Sequence, residues 1–278
     1  MKVLVIGGGG REHALVWKLA QSRHIDKIYC TPGNAGIAEM AECIEVGPDF
    51  DALIDFVKYN WIDITIVGPE EPLSRGIVDA FEKEGRKILG PTRAAAQLEW
   101  SKVFSKDFMR RHRIPTADYK VFTSHIHARD YVRMKGAPTV IKADGLAAGK
   151  GVVVAATVDE AEAAIDLIMK DHAFGAAGDK VIVEDCLVGE EASFMVFTDG
   201  TTIVPMASSQ DHKRVFDNDK GPNTGGMGAY SPAPVITEEL QQLVIDTVMR
   251  PTVEGLRTEG IKYKGILYAG LMICNGKP

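Results

Sequence analysis

The sequence predicts an α/β protein, on three observations. Residues 1 to 100 alternate short β-branched runs with helical patterns. A second strand and helix series, from residue 119, is centred on a glycine-rich bend that carries lysines. The totals, 278 residues with 45% apolar and 25% charged side chains, suit a well-cored globular protein of two or three domains.

The first strand is expected at 3–6, where Val3, Leu4, Val5 and Ile6 run into four glycines, with a helix over 11–21 behind them. Strands at 27–30, 62–67 and 87–89 and helices at 51–60 and 73–84 continue the rhythm of a parallel sheet with right-handed crossovers. Gly68-Pro69 and Gly90-Pro91 end the last two strands, because proline cannot donate to the ladder. Both ends fall on the side of such a sheet where ligands bind.

From Thr92 the pattern turns helical over 94–99. Ser101 then reads as the N-cap of a helix over 102–112, whose apolar stripe is Val103, Phe104, Phe108 and Met109. Residues 119–191 read as a separate small unit: strand 119–122, helix 128–134, the glycine hairpin, helix 159–169 and strand 181–184. Strands 193–198 and 202–206 follow, then a long polar loop to Ser231, a helix over 238–259 and a strand over 266–273. Asn275-Gly276 is a strong hairpin signal with two residues left for the returning strand. The chain is therefore expected to be a fragment, its C-terminal part missing.

The hairpin carries the most chemistry. Val140 and Ile141 lead into it and Val152 to Val154 leave it. Gly145, Gly149 and Gly151 allow positive φ and close backbone approach to an anion, and Lys142 and Lys150 add charge at the two ends. A P-loop needs four residues between its glycines and a helix after them; here Gly145 and Gly149 enclose three, and a strand follows. A surface hairpin with solvated lysines is the plain alternative.

The loop Gly7-Gly8-Gly9-Gly10-Arg11-Glu12-His13 joins a strand to a helix, where N–H groups meet phosphate. A dinucleotide fingerprint fails, since Glu12 or His13 replaces its third glycine and the second strand ends without a ribose-binding carboxylate. A nicotinamide oxidoreductase is thus the weaker enzyme reading; a sugar phosphate or a purely structural turn both fit. The segment from Glu184 to Glu191 offers backbone groups for a purine edge and a carboxylate for ribose hydroxyls, or else is a solvated acidic turn. In the polar loop, Lys213 and Arg214 could neutralise a transferring phosphoryl group, and Asn223 with the Gly225 and Gly226 N–H groups could hold an anion. His212 suits a structural hydrogen bond better than a base.

Cys30, Cys43, Cys186 and Cys274 have no C-x-x-C spacing and read as reduced thiols, not a zinc or disulfide framework. A net charge of −6 without a basic tract argues against nucleic acid. With no apolar run long enough for a membrane span or signal peptide, a cytoplasmic protein is expected, monomeric or weakly self-associating.

In their order these pieces resemble the ATP-grasp carboxylate–amine ligases, and among them the phosphoribosylamine–glycine ligase family. The residues concerned are Gly7 to His13, Pro32 to Gly36, Val67 to Glu70, Gly90 to Thr92, Ser101-Lys102, Ile141 to Gly151, Gln210 to Arg214, Pro222 to Tyr230 and Leu267 to Gly270. The resemblance implies a pre-ATP-grasp N domain over 1–100, an ATP-grasp core over 101–118 and 192–278, and a lid over 119–191. It implies ATP phosphates at Lys102, Lys142 and the hairpin residues Gly145, Gly149, Lys150 and Gly151. Adenine would lie at Glu184 and Leu187, and ribose at Glu191. It further implies phosphoribosylamine at Gly8, Gly9, Gly10 and Glu70, with Asn223, Gly225 and Gly226 also binding substrate. Asp211, Lys213 and Arg214 would lie near the reacting groups. ATP and Mg²⁺ or Mn²⁺ are the implied cofactors, and glycine and 5-phosphoribosylamine the implied substrates. The metal ligands would follow Pro278, so none is expected within these residues, and the stretch would lack part of its catalytic equipment. A sister ligase and a non-catalytic nucleotide-binding module are the alternatives.

Overall fold

The computed structural model describes residues 1–145, 151–217 and 220–278. The chain forms two compact units, one of residues 1–96 with 261–265, the other of 97–260 with 266–278.

The first unit is a five-stranded parallel sheet in the order β3-β2-β1-β4-β5. Its strands are β1 (Lys2–Gly7), β2 (Lys27–Pro32), β3 (Glu42–Cys43), β4 (Ile64–Val67) and β5 (Ile88–Leu89). Four helices cross over between them: α1 (Gly10–Ala20), α2 (Phe50–Tyr59), α3 (Glu70–Arg75) and α4 (Ile77–Lys83). Val3, Leu4 and Val5 are fully buried, as expected of a central parallel strand covered on both faces. One face packs Leu4 and Ile6 against Leu53, Ile77 and Phe81; the other packs Val3 and Val5 against Val16 and Ile37. The single helix expected over 73–84 is two, because Gly76 at φ +91° adopts the left-handed conformation that ends α3 and restarts the chain as α4.

The second unit opens with α5 (Gln97–Trp100) and α6 (Lys102–Arg111). A four-stranded antiparallel sheet follows, built from β6 (Tyr119–Phe122), β7 (Thr139–Ala143), β8 (Val152–Ala155) and β9 (Val181–Asp185) in the order β6-β9-β7-β8. Its companion helices are α7 (His125–Lys135) and α8 (Val158–Ile165). Ile141, Ala143, Val181 and Val183, alternate residues on β7 and β9, pack with Ala128, Val132 and Ile165 of those helices. A three-stranded sheet, β11-β10-β14, joins β10 (Glu190–Thr198), β11 (Ile203–Pro205) and β14 (Gly265–Ile273).

One further element departs from the sequence reading, while the helix expected over 238–259 runs unbroken from 238 to 258. The long polar loop is a two-stranded antiparallel ribbon of β12 (Gln210–Phe216) and β13 (Lys220–Tyr230). Its ladder hydrogen bonds come from the backbone, so glycine and polar side chains hide it from a reading based on apolar alternation. The long helix after Thr237 consists of α9 (Glu238–Val244), a π-helical stretch at Ile245–Met249 and α10 (Arg250–Thr258). Pro251, which lacks a donor, comes just after the π-helical stretch, where the regular helical hydrogen-bond pattern is already interrupted. Asn275 and Gly276 form the expected tight turn: both have positive φ, and Cys274 and Lys277 exchange backbone hydrogen bonds of 2.8 and 3.1 Å.

Candidate active site

The candidate nucleotide site starts from the pleat of the second unit's four-stranded sheet. With Ile141 and Val183 committed to the helical core, the register puts Lys142, Val140, Ile182 and Glu184 on the opposite face. Val152 and Val154 of β8 share that face and are 38% and 49% exposed, an apolar floor beside Lys142 suited to a flat base. Among the described residues these valines are the apolar part of the site that sequence reasoning missed.

Helix α6 covers the other end of the face. Ser101 caps it by accepting from the Phe104 N–H at 3.2 Å, and its hydroxyl donates to Asp144 at 3.3 Å. Asp144 also accepts from the Val103 N–H at 3.1 Å, so the carboxylate after β7 locks the helix N-terminus to the start of the glycine bend. Lys102 then donates to the Gly145 carbonyl at 2.7 Å. Burial drives its ammonium pKa down, and Lys142 adds to this against the pull of Asp144. Gly145 has φ +97°, and a Cβ there would lie 3.1 Å from that of Ala177, so both conformation and space call for glycine.

Lys142 and Glu184 are diagonal neighbours across β7 and β9, with Nζ to Oε2 of 2.7 Å. Glu184 is 3% exposed and also faces Lys106 of α6, 3.2 Å from Nζ to Oε1. That second approach is a charge contact without a well-directed hydrogen bond, since Oε1 has no hydrogen-bond partner among the described residues. Lys106, 8% exposed, donates to the Thr116 hydroxyl at 2.6 Å and the Ala117 carbonyl at 3.4 Å. Burial lowers its pKa, opposed by Glu184. The sequence reading missed Lys106, although it lies four residues after Lys102 and so on the same helical face.

Glu184 itself is a central-strand residue, paired with Tyr119 and Val140, and its carbonyl accepts from the Thr139 hydroxyl at 2.7 Å. Its contribution is therefore its side chain; the backbone outside the ladder starts at Cys186 and Leu187, the latter 43% exposed. Gly151 closes the hairpin ladder by accepting from the Ala143 N–H at 2.8 Å. Gly149 and Lys150 lie outside the described residues.

The residues expected near ribose and the reacting groups meet at one lysine. Lys213 on β12 is 3.2 Å from both Glu191 and Asp211. Burial lowers its pKa, but the two carboxylates outweigh this and the net shift is upward. The Gly225–Gly226 pair is less open to an anion than expected, because the Gly226 N–H donates to the Thr224 hydroxyl at 3.0 Å. Thr224 in turn donates to the Lys213 carbonyl at 2.8 Å. Arg214 pairs across the ribbon with Asn223, whose side chain is outside the description. His212 packs against Tyr230 with ring centres 5.3 Å apart and planes tilted by 43°, a ring contact where a hydrogen bond was expected.

In the first unit, Gly8, Gly9 and Gly10 lie where β1 passes into α1. A Cβ on Gly8 would come 2.5 Å from the Gly33 carbonyl, so this glycine serves close packing. The Gly9 N–H donates to buried Glu12 at 2.7 Å, which removes one donor from any anion site there. Arg11 bridges Glu12 at 3.0 Å and Glu70 at 3.2 Å. Burial raises the Glu70 pKa, yet its own backbone N–H and Arg11 prevail and hold it below the usual carboxylate range. A cavity of about 370 Å³ lies at the carboxyl ends of β1, β2 and β4, lined by Gly7, Thr31, Phe50, Glu71 and Arg75 among others.

Residues 1–99 match the model of the phosphoribosylglycinamide synthetase N domain, and residues 100–278 that of the phosphoribosylglycinamide synthetase ATP-grasp (A) domain. The chain belongs to the phosphoribosylglycinamide synthetase family. It is 57% identical over 282 residues to the phosphoribosylamine–glycine ligase of Pasteurella multocida, covering all of this chain and 66% of that protein. The crystal structure of phosphoribosylamine–glycine ligase from Thermotoga maritima is similar to the whole chain, with a TM-score of 0.85, 31% identity and 67% of its own length covered. The biotin carboxylase domain of Hydrogenobacter thermophilus 2-oxoglutarate carboxylase, a complex with Mg-ADP, ADP and bicarbonate, is similar in fold. It has a TM-score of 0.74 at 16% identity, covering all of this chain and 62% of its own. The chain thus spans about two thirds of the length of the synthetase-family relative from Pasteurella.

A divalent cation is implied by the synthetase family's nucleotide chemistry. Among the described residues no three His, Cys, Asp or Glu side chains stand together as a metal site, and Glu184 is already matched by two ammonium groups. The described residues do not build a metal centre, and no step is assigned to one. No described helix is long and apolar enough to cross a membrane.

Proposed function

We propose that the protein is an ATP-dependent ligase of de novo purine biosynthesis, acting in the cytoplasm. It would join glycine to 5-phosphoribosylamine to give glycinamide ribonucleotide, ADP and phosphate. The observation that supports the reading most directly is the lysine-bearing sheet face, where Lys142 stands beside the partly exposed Val152 and Val154 and Lys102 holds the Gly145 carbonyl, in a chain of this family.

A carboxylate resists attack by an amine because its oxygen is a poor leaving group. A glycine carboxylate oxygen therefore first attacks the γ-phosphorus of ATP, forming glycyl phosphate as the bond to ADP breaks. The amine nitrogen of phosphoribosylamine then attacks the acyl carbon, phosphate departs and the nitrogen loses a proton. Positioning and charge neutralisation dominate such a transfer, and no covalent protein nucleophile is needed. In this reading Lys102 and Lys142 hold the phosphates, Val152, Val154 and Leu187 hold the base, and Glu191 holds the ribose. Asp211, Lys213 and Arg214 face the reacting groups, with Asn223, Gly225 and Gly226 beside glycine. Gly8 to Gly10 and Glu70 hold phosphoribosylamine. The acyl phosphate must be kept from water, which gives the 119–191 segment a role as lid.

The test is made on the full-length protein. ADP and phosphate should be released together only when glycine and phosphoribosylamine are both present. Turnover with another acid and amine, but not with these, would assign a sister reaction, and ATP bound but never hydrolysed would make the protein a binding module.

A further inference from the structure

Lys106 has no place in the mechanism above, yet it is an ammonium group 8% exposed, set against the carboxylate that holds Lys142. We infer that Lys106 is a positioning residue: it supplies the counter-charge for Glu184 and so leaves Lys142 with positive charge to offer a nucleotide's phosphates. The inference rests on the proposed ATP site and deepens it.

The physical case is electrostatic. Glu184 Oε2 lies 2.7 Å from the Lys142 ammonium, and in a buried setting such an ion pair cancels most of the field that either charge presents to a third group. A phosphate approaching Lys142 would meet a spent cation. Lys106, 3.2 Å from the other carboxylate oxygen, changes the balance: two lysines share one glutamate, and the cluster keeps one net positive charge on its exposed side. Exposure directs that charge. The Lys142 side chain is 27% exposed, against 10% for Lys106 and 4% for Glu184, so Lys142 is the member a ligand can reach. The Thr116 hydroxyl and the Ala117 carbonyl hold Lys106 from behind, and its Nζ lies 5.5 Å from the centre of the Tyr119 ring. Its contacts thus fix it within the fold while its charge acts through Glu184.

A double-substitution cycle on the full-length protein tests this, read as ADP affinity by titration calorimetry. Lys106→Met should weaken ADP binding by about tenfold or more, as expected when a charge-assisted contact is lost. In the Glu184→Gln background the same Lys106→Met change should alter affinity by less than about threefold, because the carboxylate that needed neutralising is gone. The apparent KM for glycine should stay near the wild-type value. A purely structural Lys106 predicts the opposite pattern, with the double variant binding ADP no better than Lys106→Met alone, and that result would overturn the inference. Should Lys106→Met not fold, Lys106→Gln in both backgrounds gives the same comparison, with thermal unfolding as the check on folding. Lys142→Ala separates the two readings. If it leaves ADP affinity unchanged, the proposed ATP site itself fails; if it weakens binding while the cycle shows no coupling, only the role of Lys106 fails.

Discussion

At the scale of single residues, side chains whose surroundings oppose their charge are where sequence and function part company. Cys30 reads in sequence as one of four scattered thiols. In the fold it is fully buried, donates to the Gly7 carbonyl at 3.3 Å, and has its pKa pushed up to about 11, first by burial and then by the nearby Cys43 and Glu12. The raised value means that the neutral thiol is the form the fold favours. Its stabilising share is complete below the ordinary value of 9.0 and is lost as pH climbs through about 11. Between those pH values the wild type should therefore lose more stability than Cys30→Ala, by up to about 2–3 kcal/mol. Urea unfolding of both proteins across that window measures it, and parallel losses would show that the Cys30 thiol ionises in the fold at the same pH as in the unfolded chain. The lysines of the proposed site divide in the same way. Lys142 was legible because it flanks the glycine bend, and Lys102 through the family resemblance, whereas Lys106 sits inside an amphipathic helix pattern and nothing local marks its ammonium as buried. That burial depends on Glu184, 78 positions away along the chain, and pairing at such a distance leaves no trace in spacing.

At the scale of elements, apolar periodicity carried most of the fold. The strands β1, β6, β7 and β9 and the helix α6 lie where alternation, β-branching and the Ser101 cap put them, because each has a buried face recorded in its own side chains. The ribbon of β12 and β13 was illegible for the complementary reason: its side chains are polar, glycine or exposed apolar, and its pairing is a backbone property. Helix packing adds constraints that propensity alone gets backwards. Gly255 lies within α10, where exchange for alanine would ordinarily gain about 1 kcal/mol. A Cβ there would fall 2.7 to 2.9 Å from atoms of the His112 ring. That ring cannot easily yield: it hydrogen-bonds Glu259 at 2.8 Å and packs on Phe108 with centroids 4.4 Å apart. Gly255→Ala is thus expected to destabilise the second unit by about 1–3 kcal/mol, the usual cost of overpacking. Adding His112→Ala should return part of the loss. A rise in the urea midpoint of Gly255→Ala would show that α10 shifts freely and that the close approach is not enforced.

At the scale of the molecule, the division into two units with separate apolar cores determines where a ligand's stabilisation should appear. Lys102, Lys106, Lys142, Glu184, Leu187 and the two exposed valines all belong to the unit of 97–260 and 266–278. A ligand that binds only the folded form stabilises what it binds by RT ln(1 + [L]/Kd), about 2.7 kcal/mol at a hundredfold excess over Kd. The tryptophans make this readable by position. Trp17 and Trp61 lie in the first unit, 55% and 82% exposed, while Trp100 ends α5 in the second with its indole nitrogen buried. With Trp17→Phe and Trp61→Phe, the tryptophan that remains among residues 1–278 is Trp100, whose emission on unfolding reports on the unit proposed to bind nucleotide. Saturating ADP should raise that transition by the amount its measured Kd requires. A Trp100→Phe protein, which retains the two reporters of the first unit, should respond less at the same ADP concentration, because Gly8 to Gly10 and the cavity beside β1 take no part in the proposed nucleotide contacts. If the larger shift came instead from Trp17 and Trp61, ADP would be binding at the amino-terminal glycines. The sheet face with Lys142 would then lose its assignment, and the dinucleotide-like reading of the β1 to α1 turn would regain the ground it lost to Glu12.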